Sequence, residues 1–242
     1  MKKTKLSAQN VATSLRLDWC SYEAAKYAVM NWHYSRRMPA SKVNTIGAWE
    51  NGQFIGTVVF GLGANANIAG PFRLSRLTIC ELARVALRRH GSQVSRIVTI
   101  AVRMIRARYP KLGAIVSYAD PAQGHAGGIY QAMGWSYLGI SQKSTAFLTP
   151  TGELVHKRTV SASGHTNMFG KRSLCYRYDQ CTKVAIPGKH KYMLPLDPEV
   201  RARIESMSKP YPKIASEVNQ RHATIPGGEG GAAPTRALEV AT

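Results

Sequence analysis

Acidic residues are scarce in this 242-residue chain: 13 Asp and Glu stand against 33 Lys and Arg, for a formal charge of +20. Such a deficit argues against a basic or cationic partner and favours a polyanion, because each phosphate neutralised by Lys or Arg releases condensed counterions. Nucleic acid is the reading preferred here; a basic structural protein or a membrane-surface binder are the plainer alternatives. Cysteine is sparse too, with four residues (Cys20, Cys80, Cys175, Cys181) and no CxxC pair. That excludes a zinc ribbon or a thioredoxin-type motif. Cys175 and Cys181 share a third of the chain with His156, His165 and His190, but the spacing is too loose to specify a zinc site, and no metal ligand is assigned; whether a metal takes part stays open. No uninterrupted apolar run approaches the roughly 20 residues that a membrane-spanning helix requires. The basic N-terminus lacks the apolar core of a secretory signal, so the expectation is a soluble, cytoplasmic protein without a membrane partner.

What is present is an ordinary globular core, with 44% hydrophobic residues, and one organising stretch, VSYADPAQGHAGGIYQAMGW (116–135). It starts as the end of an apolar strand, turns at Asp120-Pro121 and becomes a short helix through Ile129, Tyr130, Ala132 and Met133. Gly134 then supplies the positive φ that ends a helix at no steric cost. Ser117, Tyr118, Asp120 and His125 thereby fall at the carboxyl end of a strand, where open α/β sheets place ligands.

Upstream, Leu15, Leu17 and Trp19 suit a first strand or lead-in. Ser21 then caps a helix that runs out into the loop His33-Tyr34-Ser35-Arg36-Arg37-Met38-Pro39, suited to phosphate and base. Strands are expected over Thr45–Glu50 and Gln53–Phe60, joined by an Asn51-Gly52 hairpin turn. Residues 61–75, rich in Gly, Ala and Asn, read as a flexible loop, and a third strand spans 78–87. Arg88-Arg89-His90-Gly91-Ser92 precedes the clearest amphipathic helix, from Val94 to Pro110. Such a turn is a phosphate cradle or a plain helix cap, since free N–H groups and the helix dipole attract anions. Later strands are expected near 112–116, 136–141 and 145–148, a protruding basic hairpin or loop over 149–172 with Lys157 and Arg158, and a closing strand over 172–178. Lys189-His190-Lys191-Tyr192 is a basic–aromatic cluster suited to phosphate contact and base stacking. The organisation reads as a lead-in (1–20), one domain (21–196), a helical extension (197–221) and a polar tail (222–242) with too little to bury to fold.

The order helix, hairpin, strand, basic turn, long helix, strand, short helix, strand resembles the GNAT superfamily of N-acetyltransferases. That resemblance implies an α/β (α+β) class: a mixed, mostly antiparallel twisted sheet flanked by helices. GIYQAMGW (128–135) is similar to the superfamily's segment whose tyrosine protonates a departing thiol, which casts Tyr130 in that role. The superfamily's diphosphate loop, Arg/Gln-x-x-Gly-x-Gly/Ala, is half present: Arg88 and Gly91 fit, but Gln93 stands where the small residue belongs. Arg84, Arg88, Gly91 and Ser92 are the donor-binding candidates.

HYSRRMP (33–39), ELARVAL (81–87), SYAD (117–120), GHAGGIYQA (124–132) and KHKY (189–192) together resemble the phage Mom family over most of residues 30–195. That resemblance implies a transferase that converts adenine in double-stranded DNA to N6-carbamoylmethyladenine and shields phage DNA from restriction. It also implies an activated glycyl donor, with glycyl-tRNA favoured over an acyl-CoA. The implied catalytic residues are Asp120, Tyr130, His33 and Ser117. DNA contacts fall to Tyr34, Ser35, Arg36, Arg37, Tyr118, His125, Lys157, Arg158, Lys189, His190 and Lys191. A conventional acetyl-CoA-dependent N-acetyltransferase and a non-enzymatic DNA-binding protein are the alternatives, and a homodimer stays open.

Overall fold

The computed structural model describes residues 14–63, 66–168 and 171–213. Contacts divide the chain after Tyr211, and of the second unit only Pro212 and Lys213 are described. The 222–242 tail and the first 13 residues of the lead-in lie outside the described residues.

Strand β1 (Leu15–Trp19) leads into helix α1 (Tyr22–Trp32), whose Ser21 cap accepts from the Ala24 amide. The hairpin β2 (Val43–Glu50) and β3 (Gln53–Gly61) turns at Asn51 and Gly52, both at positive φ (51° and 78°), as a tight primed turn demands. Strand β4 (Ile79–Leu87), helix α2 (Val94–Arg108), strand β5 (Ala114–Ala119), helix α3 (Gly128–Ala132) and strand β6 (Ser136–Ile140) follow. Gly134 closes α3 at φ 69°. The chain then builds β7 (Ser144–Leu148), β8 (Leu154–His156), β9 (Val160–Ser161), β10 (His165–Met168), β11 (Lys171–Leu174), β12 (Tyr176–Arg177) and β13 (Thr182–Ile186). It returns through β14 (His190–Pro195) to helix α4 (Pro198–Ser206).

Seven strands form the main sheet in the order β1-β2-β3-β4-β5-β14-β6. Only β4 and β5 pair in parallel within it; the other pairs are antiparallel. This is the mixed, mostly antiparallel α/β class that the element order implied. Side chains alternate between its two faces. Val58, Leu82 and Ile115 join the core under α2, with Ile97, Val98, Ala101 and Ile105, whereas Val59 packs with Ala28 and Val29 of α1. Val116 and Met193 pack with Val200 and Ile204 of α4.

Two expectations change. The 61–75 segment is not simply a flexible loop: it carries 3-10 turns at Ala66–Ile68 and Gly70–Phe72, and Ile68, Ala69 and fully buried Phe72 belong to the core under α4. Its glycines and asparagines masked two large apolar anchors. The strand near 172–178 does not close the main sheet. Lys171–Leu174 pairs with β10, and the closing strand is β14, inserted between β5 and β6. Within 149–172, β10 pairs antiparallel with β11, and β8 joins an accessory layer. There β7 pairs with β8 and β13 over a small core of Phe147, Val155 and Val160.

Candidate active site at the parting of two parallel strands

Strands β4 and β5 pair only from Ile79 with Ala114 to Leu82 with Ser117. Beyond that point β4 continues along β3 and β5 continues along β14. The β3–β4 register jumps from Phe60 opposite Leu82 to Val59 opposite Arg84, so Ala83 bulges out and turns β4 away. At the parting, the Leu82 carbonyl is met by Ser117 Oγ at 2.8 Å, and Ser117 Oγ lies 2.7 Å from the Tyr130 hydroxyl. A serine hydroxyl has one proton and a carbonyl can only accept. Ser117 therefore donates to Leu82, and Tyr130 donates to Ser117. Burial, reinforced by nearby Tyr34 and Glu81, pushes Tyr130 up to about 12. The phenol keeps its proton at neutral pH.

A second wall comes from the end of α1. His33 caps that helix in extended conformation, its amide bonded to the Val29 carbonyl. Its Nδ1 accepts from the Ser35 amide at 3.1 Å and lies 2.8 Å from Ser35 Oγ. Because an amide N–H only donates, Nδ1 is unprotonated and the ring proton of the neutral form sits on Nε2. Burial first, then the positive surroundings of Arg84, His125 and Lys189, hold His33 down to about 4. The ring stacks on Tyr34 with centroids 4.3 Å apart, and Tyr34 meets His125 edge-on at 5.7 Å. Arg84 donates through Nε to the Arg37 carbonyl at 3.1 Å, tying this loop to the bulged strand. Arg37 pairs with Glu153 of the accessory layer, and Arg36 is exposed at φ 45°.

The third wall is the end of β5. Asp120 Oδ1 caps the turn that follows by accepting from the Ala122 amide at 3.1 Å, and its carbonyl takes the His125 amide at 3.1 Å. Its other oxygen pairs with Lys189 Nζ at 2.7 Å, with the Asp120 side chain only 15% exposed. Lys189 is positioned by its own amide on Ser141 Oγ, 2.9 Å away. Below these groups Tyr192, fully buried, donates to the Ala126 carbonyl at 2.5 Å and packs its ring on Tyr130 and Tyr137. Gly127 sits at φ 81° directly on the Tyr192 ring, so glycine is required there both for the backbone and for the approach.

His33, Tyr34, Ser35, Arg37, Arg84, Ser117, Asp120, His125, Tyr130 and Lys189 are thus linked by contacts or charge around one strand parting. Other candidates are placed elsewhere. Tyr118 faces the α4 side, where burial pushes it up to about 12, and Lys191, opposite Tyr118 in register, lies half-buried with Nζ 5.0 Å from the centre of the Phe72 ring. His190 Nδ1 meets the Tyr137 hydroxyl at 2.8 Å. Lys157 is exposed on the accessory layer, and the Arg158 side chain lies outside the described residues. Arg88 bonds Gln53 at 2.9 Å, while the Gly91 and Ser92 amides both bond the Glu50 carboxylate. Among the described residues, no group of three or more His, Cys, Asp or Glu is arranged to hold a metal ion, and no helix is long and apolar enough to cross a membrane.

Glu81 was missed by sequence reasoning. It sits on β4 where its charge bears on Tyr118, Tyr130 and Arg84. The available signal was an acidic residue inside an apolar strand, in a chain with few acids. Tyr192 and Gln131 bond each other at 2.9 Å beneath the site, and the Tyr192 ring, expected to stack on a base, is instead fully buried.

Fold and site together describe a mixed α/β protein with a polar, hydrogen-bonded cluster where two parallel strands separate. The chain belongs to the Mom protein family, whose model matches residues 14–213. The methylcarbamoylase Mom of Escherichia phage Mu is 26% identical over 213 residues, covering 82% of this chain and 84% of that protein. Similar solved structures include FeeM, an N-acyl amino acid synthase from uncultured soil microbes (10% identity, 80% of this chain and 96% of that one, TM-score 0.41). A Bacillus subtilis acetyltransferase in complex with CoA is another (12% identity, 76% of this chain and 100% of that one, TM-score 0.39).

Proposed function

We propose that the chain is a DNA-modifying, acyltransferase-like enzyme that converts adenine in duplex DNA to N6-carbamoylmethyladenine, an anti-restriction modification, using glycyl-tRNA as donor. The observation that carries this reading is the convergence at one strand parting of a protonated phenol–serine pair, a neutral imidazole and a lysine-held carboxylate. Family membership and the charge of +20 favour a DNA substrate and a polyanionic carrier.

Adenine N6 is a weak nucleophile because its lone pair is delocalised into the ring, so transfer requires removal of its proton and polarisation of the acyl carbonyl. The base must first leave the stack. Exposed Tyr34 offers a stacking face, and Arg36, Arg37 and Lys157 reach phosphates. Asp120 takes the N6 proton, oriented by its bonds to Ala122 and Lys189. His33 Nε2–H donates to the carbonyl oxygen; the tautomer suits a donor and not a base. Tyr130 protonates the departing ribose oxygen, with Ser117 as the partner that holds the phenol in place.

This first step breaks the ester and forms N6–CO–CH2–NH2. The free amine then attacks C6 through a five-membered ring and the C6–N6 bond breaks. The original nitrogen leaves as the carboxamide, taking up the proton that the amine loses. The product, N6–CH2–CO–NH2, is an isomer of the glycyl adduct and needs no redox partner. Purified chain, duplex DNA and glycyl-tRNA are expected to give an adenosine adduct heavier by one glycyl residue, and acetyl-CoA or glycyl-CoA are expected to give none. Modification from the thioester alone would reject the donor; no modification with either would reject acyl transfer.

A further inference from the structure

The turn between β4 and α2 occupies the place where the GNAT resemblance puts the diphosphate of coenzyme A. In this chain three of its donors are already in use. The Gly91 amide bonds Glu50 Oε2 at 2.7 Å, the Ser92 amide bonds Oε1 at 2.8 Å, and the Ser92 hydroxyl bonds Oε1 at 2.6 Å. Gln93, the residue at the cap of α2, makes no side-chain capping bond, and the Glu50 carboxylate from another strand is held just ahead of that helix end, where negative charge is favoured. The carboxylate is delivered rigidly. Glu50 ends β2, pairs in register with both Leu15 and Gln53, and immediately precedes the Asn51-Gly52 turn. The rest of the turn is also engaged: Arg88 is bonded to Gln53 by its guanidinium and to Ile55 by its amide, and its carbonyl meets His90 Nδ1 at 2.7 Å. Beside it runs a groove of about 530 Å³ between α2 and α3, lined by Gln93, Ser95, Arg96, Thr99, Arg103 and Met133. Basic side chains line that groove, but a diphosphate reaching its head would find the Gly91 and Ser92 amides taken and a negative charge between them.

We infer that Glu50 is a built-in anion that seals the diphosphate place of the fold and makes this chain refuse coenzyme A and other nucleoside-diphosphate carriers. The residues therefore do not fit that cofactor, and Glu50 acts as a determinant of donor specificity. The inference narrows the donor in the function proposed above and so rests on that reading. Its test, however, is binding and not modification. The Ser92 hydroxyl, with the two amides behind it, holds the Glu50 carboxyl below the usual carboxylate range, which gives the contact a spectroscopic signature.

The probes are coenzyme A and inorganic pyrophosphate, titrated into the full chain and into Glu50→Ala and Glu50→Gln while the Gly91 and Ser92 amide resonances are followed. In the wild-type chain those amides are expected to stay unmoved at millimolar probe, and the Glu50 carboxyl carbon is expected to keep its depressed titration. Glu50→Ala is expected to bind either probe at least about tenfold more tightly, with both amides shifting saturably, since charge-assisted bonds to backbone N–H are the strong ones. Equal affinity in wild type and variant, or a Glu50 carboxyl released by coenzyme A in the wild type, would overturn the inference. So would a folded Glu50→Ala that still refuses both probes. The wild-type carboxyl measurement decides the matter if neither variant folds. Failure of the nucleoside assay with these resonances behaving as expected would instead count against the proposed function.

Discussion

Ser117 and Tyr130 offer the sharpest energetic test, because the structure fixes which bonds each substitution breaks. Tyr130→Phe removes one hydroxyl and leaves Ser117 still donating to the Leu82 carbonyl, so it should cost about 1 kcal/mol. Ser117→Ala is worse. It strands both the Leu82 carbonyl and the Tyr130 hydroxyl in a buried place, at about 1–3 kcal/mol for each unsatisfied group. In the double variant the phenol is gone and only the carbonyl is stranded. Adding Tyr130→Phe to Ser117→Ala should therefore cost nothing, or recover about 1 kcal/mol, giving a coupling of about 1–2 kcal/mol. Urea unfolding of the four chains, with unchanged m-values, reads these differences. If Tyr130→Phe costs the same on both backgrounds, the two hydroxyls do not share a bond and the assignment of donor and acceptor is wrong. The same single variant should lower modification by about 100-fold or more, an effect of the size expected for a lost general acid and far beyond its effect on folding.

His33 is held neutral down to about 4, whereas an unfolded histidine takes its proton near 6.5. Between those values the unfolded chain binds more protons, so stability falls as pH drops from 6.5 to about 4 and levels off below. The contribution is at most about 3 kcal/mol and smaller after solvent screening of a partly exposed ring. Urea midpoints of wild type and His33→Asn across that range should converge or diverge by this amount, and parallel curves would contradict it. Phe72→Ala should destabilise the chain by about 3–5 kcal/mol, since the ring is fully buried under α4. A loss below 1 kcal/mol in the same assay would return the segment to the loop that its composition suggests.

Local signals were legible wherever the chemistry is local. Asn51-Gly52 required a primed turn and made one, Ser21 capped α1, and GIYQAMGW formed a short helix ended by Gly134 with Trp135 buried behind it. Long-range pairings were not legible. KHKY reads as a solvent-facing basic cluster, yet Tyr192 becomes fully buried because Gly127, 65 positions earlier, leaves room for its ring. The same segment separates its two lysines, Lys189 onto Asp120 and Lys191 against Phe72, because Lys189 precedes β14 and the register with β6 shifts between His190 and Tyr192. The 88–92 turn has the composition of an anion cradle, but only the fold reveals that its anion is Glu50, some 40 residues away in the sequence. Glu81 and Arg84 took their places in the site through a bulge at Ala83 that no spacing in ELARVAL announces.

The fate of the glycine nitrogen tests the central claim most directly. DNA modified with tRNA carrying glycine labelled with nitrogen-15 would be digested to nucleosides, and the carboxamide of the adduct hydrolysed to release its nitrogen as ammonia. Glycyl transfer followed by rearrangement predicts unlabelled ammonia and a carboxymethyl nucleoside that retains the label on C6. Label released as ammonia, or an adduct containing none of glycine's atoms, would contradict the account.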